Sequence, residues 1–157
     1  ETAESMYLKE MGESLEMLLK THQWFQQTFK SAFGIYGYFS VTGPNIYYNF
    51  VKWVALGVLI FFAVSVLIRW DVNSMLLVCV LVLFALLLMF SLHHSWLVDF
   101  QPQGRYLFAI LPMLGVVYVR AEEYVDRAAL AAGIIFLYAL SAYSFLFYAL
   151  VRIPKAY

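Results

Sequence analysis

From Ser74 to Trp96 the chain runs through Met75-Leu-Leu-Val-Cys-Val-Leu-Val and on to His93-His94 without one acidic residue, lysine or arginine. Hydrocarbon offers a backbone no water to bond to, so an uninterrupted run of this length reads as a helix that satisfies its own N–H and C=O groups across a bilayer. The rest of the chain carries the same bias. Hydrophobic residues make up 64% of the sequence and charged residues 13%, about half the charged share of an ordinary soluble domain. A soluble fold is excluded, and the fold class expected is all-α integral membrane: four transmembrane helices preceded by an amphipathic juxtamembrane helix.

The spans are expected at about 47–68, 74–96, 104–119 and 128–151, with residues 1–46 as an interfacial region and 47–157 as the membrane region. The first, Tyr47 to Ile68, gives about 33 Å of helix, enough for a hydrocarbon core of about 30 Å. Lys52 near its entrance snorkels toward headgroups beside Tyr48 and Trp53 and is assigned no chemistry. Asp71 or Asn73 caps the second span. The third, at about 24 Å, is short and contains Pro112, as irregular membrane helices do where they are buried in protein or line a cavity. Arg152 and Lys155 anchor the end of the fourth.

Ahead of the spans, Leu8, Met11, Leu15, Leu18, Phe25, Phe29 and Phe33 recur at helical spacing, with His22 filling the missing step. Glu10, Glu13, Glu16, Lys20 and Gln27 form the opposite face. A helix from about Glu4 to Phe33 is expected to lie in the membrane interface, with Trp24 and Phe25 at the headgroup boundary; packing on a partner subunit is the alternative. Gly34, Gly37 and Gly43-Pro44 then punctuate an aromatic stretch that predicts a re-entrant or surface-lying turn.

The net charge is zero, so no global basic field draws nucleic acid. Cys79 stands alone, which rules out a disulfide within the chain. His93 and His94 point to different helix faces, so no metal site is expected, and no cofactor motif is present. Without an initiator Met or signal peptide, the sequence reads as a fragment of a longer or processed polypeptide. With four spans, the N-terminal segment, the Asp99–Arg105 turn and the C-terminus share one side. Arg69 and Arg120–Arg127 share the other, and charge does not decide which side faces the cytoplasm.

The chemistry available concentrates between Asp99 and Pro112. Arg105 offers a permanently charged planar fork at a helix start, where free N–H groups and the helix dipole also favour an anion. Asp99, Gln103 and Tyr106 stand close enough in sequence to orient it or to bond a ligand hydroxyl. The plainer alternative is an interfacial arginine paired with Asp99 or with lipid headgroups.

Gln103-Gly-Arg-Tyr-Leu-Phe-Ala-Ile-Leu-Pro112 resembles the Gln-Gly-Arg-Tyr-x-x-Pro-x-x-Pro signature of a family of bacterial membrane proteins related to the lipid-carrier-dependent glycosyltransferases of the GT-C superfamily. Ser31-Ala-Phe-Gly-Ile-Tyr-Gly-Tyr38 is similar to the Ser-Phe-Trp-Gly-x-Phe-Gly-Trp segment that precedes the same spans. Ala109 stands where the family has its first proline, and Tyr36 and Tyr38 replace Phe and Trp. The resemblance implies a lipid-phosphate and substrate site for a polyprenyl-phosphate-linked sugar, with Arg105 binding the phosphate, Gln103 and Tyr106 shaping the site, and Asp99 orienting Arg105 or bonding a ligand hydroxyl. It also implies that the turn faces outside the cytoplasm at the bacterial inner (cytoplasmic) membrane. The catalytic acid would lie outside this chain, which supplies no catalytic residue of its own. The alternative is a non-catalytic scaffold or accessory subunit, with membrane lipid and other membrane subunits as partners.

Overall fold

A computed structural model describes residues 8–9, 12–36 and 41–152. The protein is mostly helical. Helix α1 covers Leu15–Lys20 and α2 Trp24–Gly34, and a two-stranded antiparallel ribbon follows, β1 (Ile35–Tyr36) pairing with β2 (Val41–Thr42). Next come α3 (Asn45–Leu67), α4 (Val72–Leu97), a 3-10 helix over Gly104–Ala109 that leads into α5 (Ile110–Arg120), and α6 (Arg127–Ser144). A π-helical turn, Phe145–Ala149, joins α6 to α7 (Leu150–Arg152). Among the described residues three helices are long and apolar enough to cross a membrane: Asn45–Leu67, Val72–Leu97 and the continuous run Arg127–Arg152. Their outer faces carry bare apolar side chains, with Phe90 70%, Ile135 66% and Val151 74% exposed, the inverse of a soluble core and suited to lipid contact.

The segment expected as the third span is built in two parts. Its α-helical portion, α5, has 11 residues, about 16 Å, too short to cross on its own. Pro112 explains the division. Its ring would clash with the carbonyl of Phe108 and it has no N–H to give that carbonyl, so the proline is accommodated in the first turn of α5 and the preceding residues wind as 3-10 helix. The whole segment still travels the length of the bundle. Gly104 lies against α2 at one end, and Val117 and Ala121 pack with Val66, Leu77 and Phe62 at the other.

The single amphipathic helix expected up to Phe33 is broken. Thr21 and His22 both donate backbone N–H bonds to Met17 O, closing α1, and Gln23 turns into the left-handed region at φ 48°. His22 does not fill an apolar step. Its ring nitrogen lies 2.6 Å from a Glu13 carboxylate oxygen, and its ring packs 5.2 Å from that of Phe100. Trp24, expected at the headgroup boundary, is fully buried in a cluster with Leu8, Leu18, Leu88, Leu92 and Trp96 on the end of α4. The part of that helix at Glu4–Tyr7, Glu10 and Met11 lies outside the described residues.

The aromatic turn becomes the β-ribbon, a small exception to an all-α class; Gly37 and Tyr38 lie outside the described residues. Gly34 ends α2 at φ 142°, a conformation L side chains rarely adopt, and a Cβ there would sit 2.5 Å from Ser144 Oγ. Two tyrosines of α3 lock this junction. Tyr48 OH donates to Gly34 O at 2.8 Å, and Tyr47 OH reaches Phe33 O at 2.9 Å and Leu140 O at 3.2 Å. Helix α2 is thereby fixed to α3 and α6 and forms a rigid platform at one end of the bundle.

At the other end, Asp71 caps α4 as expected. Its carboxylate accepts from Asn73 N at 2.9 Å and Ser74 N at 3.1 Å, while Ser74 Oγ accepts from Asp71 N at 3.3 Å. Tyr124 OH donates to the second carboxylate oxygen at 3.0 Å.

Candidate functional site

The Asp99–Tyr106 turn is clamped to α2 by one hydroxyl. Ser31 Oγ accepts from Gly104 N at 2.7 Å and lies 2.8 Å from Pro102 O and 2.9 Å from Thr28 O, the two acceptors for its proton. Gly104 is pressed so closely onto α2 that a Cβ would collide with Thr28 O and the Cβ of Ala32. Pro102, two residues earlier, is fully buried. Sequence separation hides this arrangement, since the partners are 73 residues apart.

Gln101 organises the exposed side of the turn. Its side-chain N–H donates to Asp99 Oδ2, while its Oε1 accepts from Tyr106 OH at 3.0 Å and from Gln103 Nε2 at 3.3 Å. Its backbone carbonyl accepts from Gln103 N at 2.7 Å and lies 3.4 Å from Ser95 Oγ of α4. The structure therefore brings Asp99, Gln103 and Tyr106 together through a residue that sequence reasoning did not assign. Ser31 was likewise unassigned. The available signal was local: Gln101 sits directly before Pro102, between two of the expected site residues.

Arg105 is the one expected site residue outside this network. It is exposed and, among the described residues, forms no ion pair with Asp99 or any other carboxylate; its guanidinium carbon lies 5.4 Å from the centre of the Tyr106 ring. The Asp99 carboxylate is engaged by Gln101 instead. Beside the turn, Phe100 carries the His22–Glu13 pair of α1's flank, and Trp96 Nε1 donates to Glu13 O at 2.9 Å. Among the described residues no three His, Cys, Asp or Glu side chains converge as a metal site would require.

The chain matches no family model, no curated protein and no solved structure.

Proposed function

We propose that this chain is the membrane-embedded portion of a protein related to the GT-C glycosyltransferases, and that its Gln103–Tyr106 turn receives the phosphate of a polyprenyl-phosphate-linked sugar. One observation supports this most directly. The two stretches whose residues resemble that family meet through Ser31 and Gly104, and the residue next to the junction is an exposed arginine without an ion pair among the described residues.

Glycosyl transfer from such a donor leaves negative charge on the departing lipid phosphate, and a placed cation lowers the energy of that charge without covalent chemistry. Arg105 supplies the charge, Gln103 and Tyr106 border it, and Asp99, held by Gln101, keeps its carboxylate away from the incoming phosphate. Binding, rather than acid–base catalysis, is the role of this chain. Gly104–Arg120 crosses as a fourth span: its 3-10 part rises about 12 Å and α5 about 16 Å, together close to a hydrocarbon core of about 30 Å. The membrane is the bacterial cytoplasmic membrane, with the turn on its outer side.

The test is Arg105→Ala in the full-length protein, assayed for turnover of a lipid-linked sugar. Loss of turnover in a folded variant is expected; unchanged turnover overturns the assignment.

A further inference from the structure

Helix α2 has two working faces. Thr28, Ser31 and Ala32 face the Gly104 turn. Gln26 and Lys30, on the side of the helical wheel away from Thr28, form with the flanking Phe25 and Phe29 one wall of a separate pocket of about 490 Å³. Its second wall is a single stripe of the first two turns of α3, where Asn45, Tyr48, Asn49 and Lys52 follow at three- and four-residue steps.

The lining carries two ammonium groups and no carboxylate. Neither lysine forms an ion pair among the described residues. Lys30 is nevertheless fixed: its Nζ donates to Asn45 Oδ1 at 2.9 Å and stands 5.3 Å from the centre of the Tyr48 ring. An ammonium has three donors, so two remain to meet a ligand. Lys52 Nζ lies 5.3 Å over the ring of Trp53. Asn49 and Gln26 add amide N–H groups, and α3 begins at this wall, bringing the positive end of its dipole.

Like charges brought to one concave site repel unless an anion joins them. We propose that this pocket binds a phosphate group, seated between Lys30 and Lys52. The setting favours a phosphate carried by an anionic lipid headgroup. Lys52 is seven residues into a membrane-crossing helix, about 10 Å along its axis, within snorkelling reach of the headgroup layer. Phe25, 55% exposed, gives the pocket an apolar lip for the lipid's glycerol and upper acyl carbons. The site does not use Arg105 and stands apart from the proposed donor site.

The test uses the full chain in detergent micelles, with phosphatidylglycerol, phosphatidylcholine and inorganic phosphate titrated separately and bound ligand read by native mass spectrometry. Each lysine contributes about fivefold to the affinity for an anionic headgroup, so Lys30→Gln with Lys52→Gln weakens phosphatidylglycerol binding about thirtyfold. Phosphatidylcholine binds weakly to both proteins, and Lys30→Arg with Lys52→Arg retains binding. Displacement of the lipid by inorganic phosphate supports phosphate recognition and assigns a soluble source; retention of phosphatidylglycerol against inorganic phosphate supports it and assigns the lipid. Equal binding of phosphatidylglycerol by the double Gln variant, or equal affinity for the two lipids, overturns the proposal. Should the double variant fold poorly by circular dichroism, the single variants decide it, each expected at about fivefold.

Discussion

Ser31 Oγ accepts a hydrogen bond from Gly104 N at 2.7 Å, and this contact sets the position of the whole Asp99–Tyr106 turn on α2. The fit leaves no room for a larger residue. Gly104→Ala would drive a methyl group into the backbone carbonyl of Thr28 and into Ala32, atoms that cannot swing aside as a long side chain would. A loss of about 1–3 kcal/mol is expected, as for overpacked cores. Ser31→Ala removes the acceptor, leaves Gly104 N unbonded, and should cost about 1–3 kcal/mol. Thermal unfolding of both variants in the same detergent checks this; a Gly104→Ala protein as stable as the parent would mean that the close approach is absent.

Arg105 and Gln101 lie four residues apart and should behave oppositely. Arg105→Ala removes an exposed side chain with no ion pair among the described residues, and its stability should stay within about 0.5 kcal/mol of the parent. Gln101→Leu strips partners from Asp99, Gln103 and Tyr106 at once, and a loss of about 1–3 kcal/mol is expected. Denaturant titrations of the two variants in parallel give the comparison. An Arg105→Ala protein less stable than Gln101→Leu would show that the arginine, rather than the glutamine, holds the turn.

The pairing of Tyr124 with Asp71 at the other end predicts two pH limits. Burial pushes the Asp71 carboxyl up, but bonds from Ser74 N, Tyr124 OH and Asn73 outweigh it and hold the group below the usual carboxylate range. A folded-state value below the unfolded one gives stability that is full above about pH 4 and lost as pH falls through the depressed folded value. Tyr124 is shifted the other way, raised first by its bond to Asp71 and then by burial and the neighbouring carboxylates. Its contribution is full below about pH 10 and lost as pH rises through the raised folded value. Unfolding midpoints measured against pH should therefore lose part of the acid limb in Asp71→Ala and part of the alkaline limb in Tyr124→Phe. Unaltered limbs in both variants would mean that the bond does not form.

The membrane helices were legible because the bilayer imposes its demand on composition over twenty or more residues, whatever the packing. The Asp71 cap was legible because cap and recipient are neighbours. The break before Trp24 was not. The three-and-four apolar spacing continues through it, and the His22 side chain at the break is turned to Glu13 and to Phe100, the second 78 positions away in sequence. At the candidate site, Arg105, Gln103, Tyr106 and Asp99 could be named because they share one turn, and three of them do join one network. Ser31 and Gln101, which hold that turn, act through a distant hydrogen bond and through side-chain geometry, and neither leaves a periodic trace. The pocket between Lys30 and Lys52 is the same kind of case: Lys52 read singly is a snorkelling side chain, and only the packing of α2 on α3 gives it a second cation.

Pro112 sets the direction in which Arg105 leaves the helix. A 3-10 helix advances about 120° per residue and an α-helix about 100°, so across the four steps from Arg105 to Ala109 the two differ by about 80°. Pro112→Ala restores an N–H that can reach the Phe108 carbonyl and removes the ring that collides with it. The Gly104–Ala109 segment is then expected to rewind as α-helix, shortening by about 3 Å and swinging the guanidinium away from its place beside Tyr106. Residue-resolved amide hydrogen exchange should find the new amide at position 112 protected, and phosphate-dependent properties of the turn should fall toward those of Arg105→Ala while the helical content rises. Rapid exchange at position 112, with the turn's properties intact, would show that the Ser31–Gly104 clamp, and not the proline, enforces the 3-10 winding.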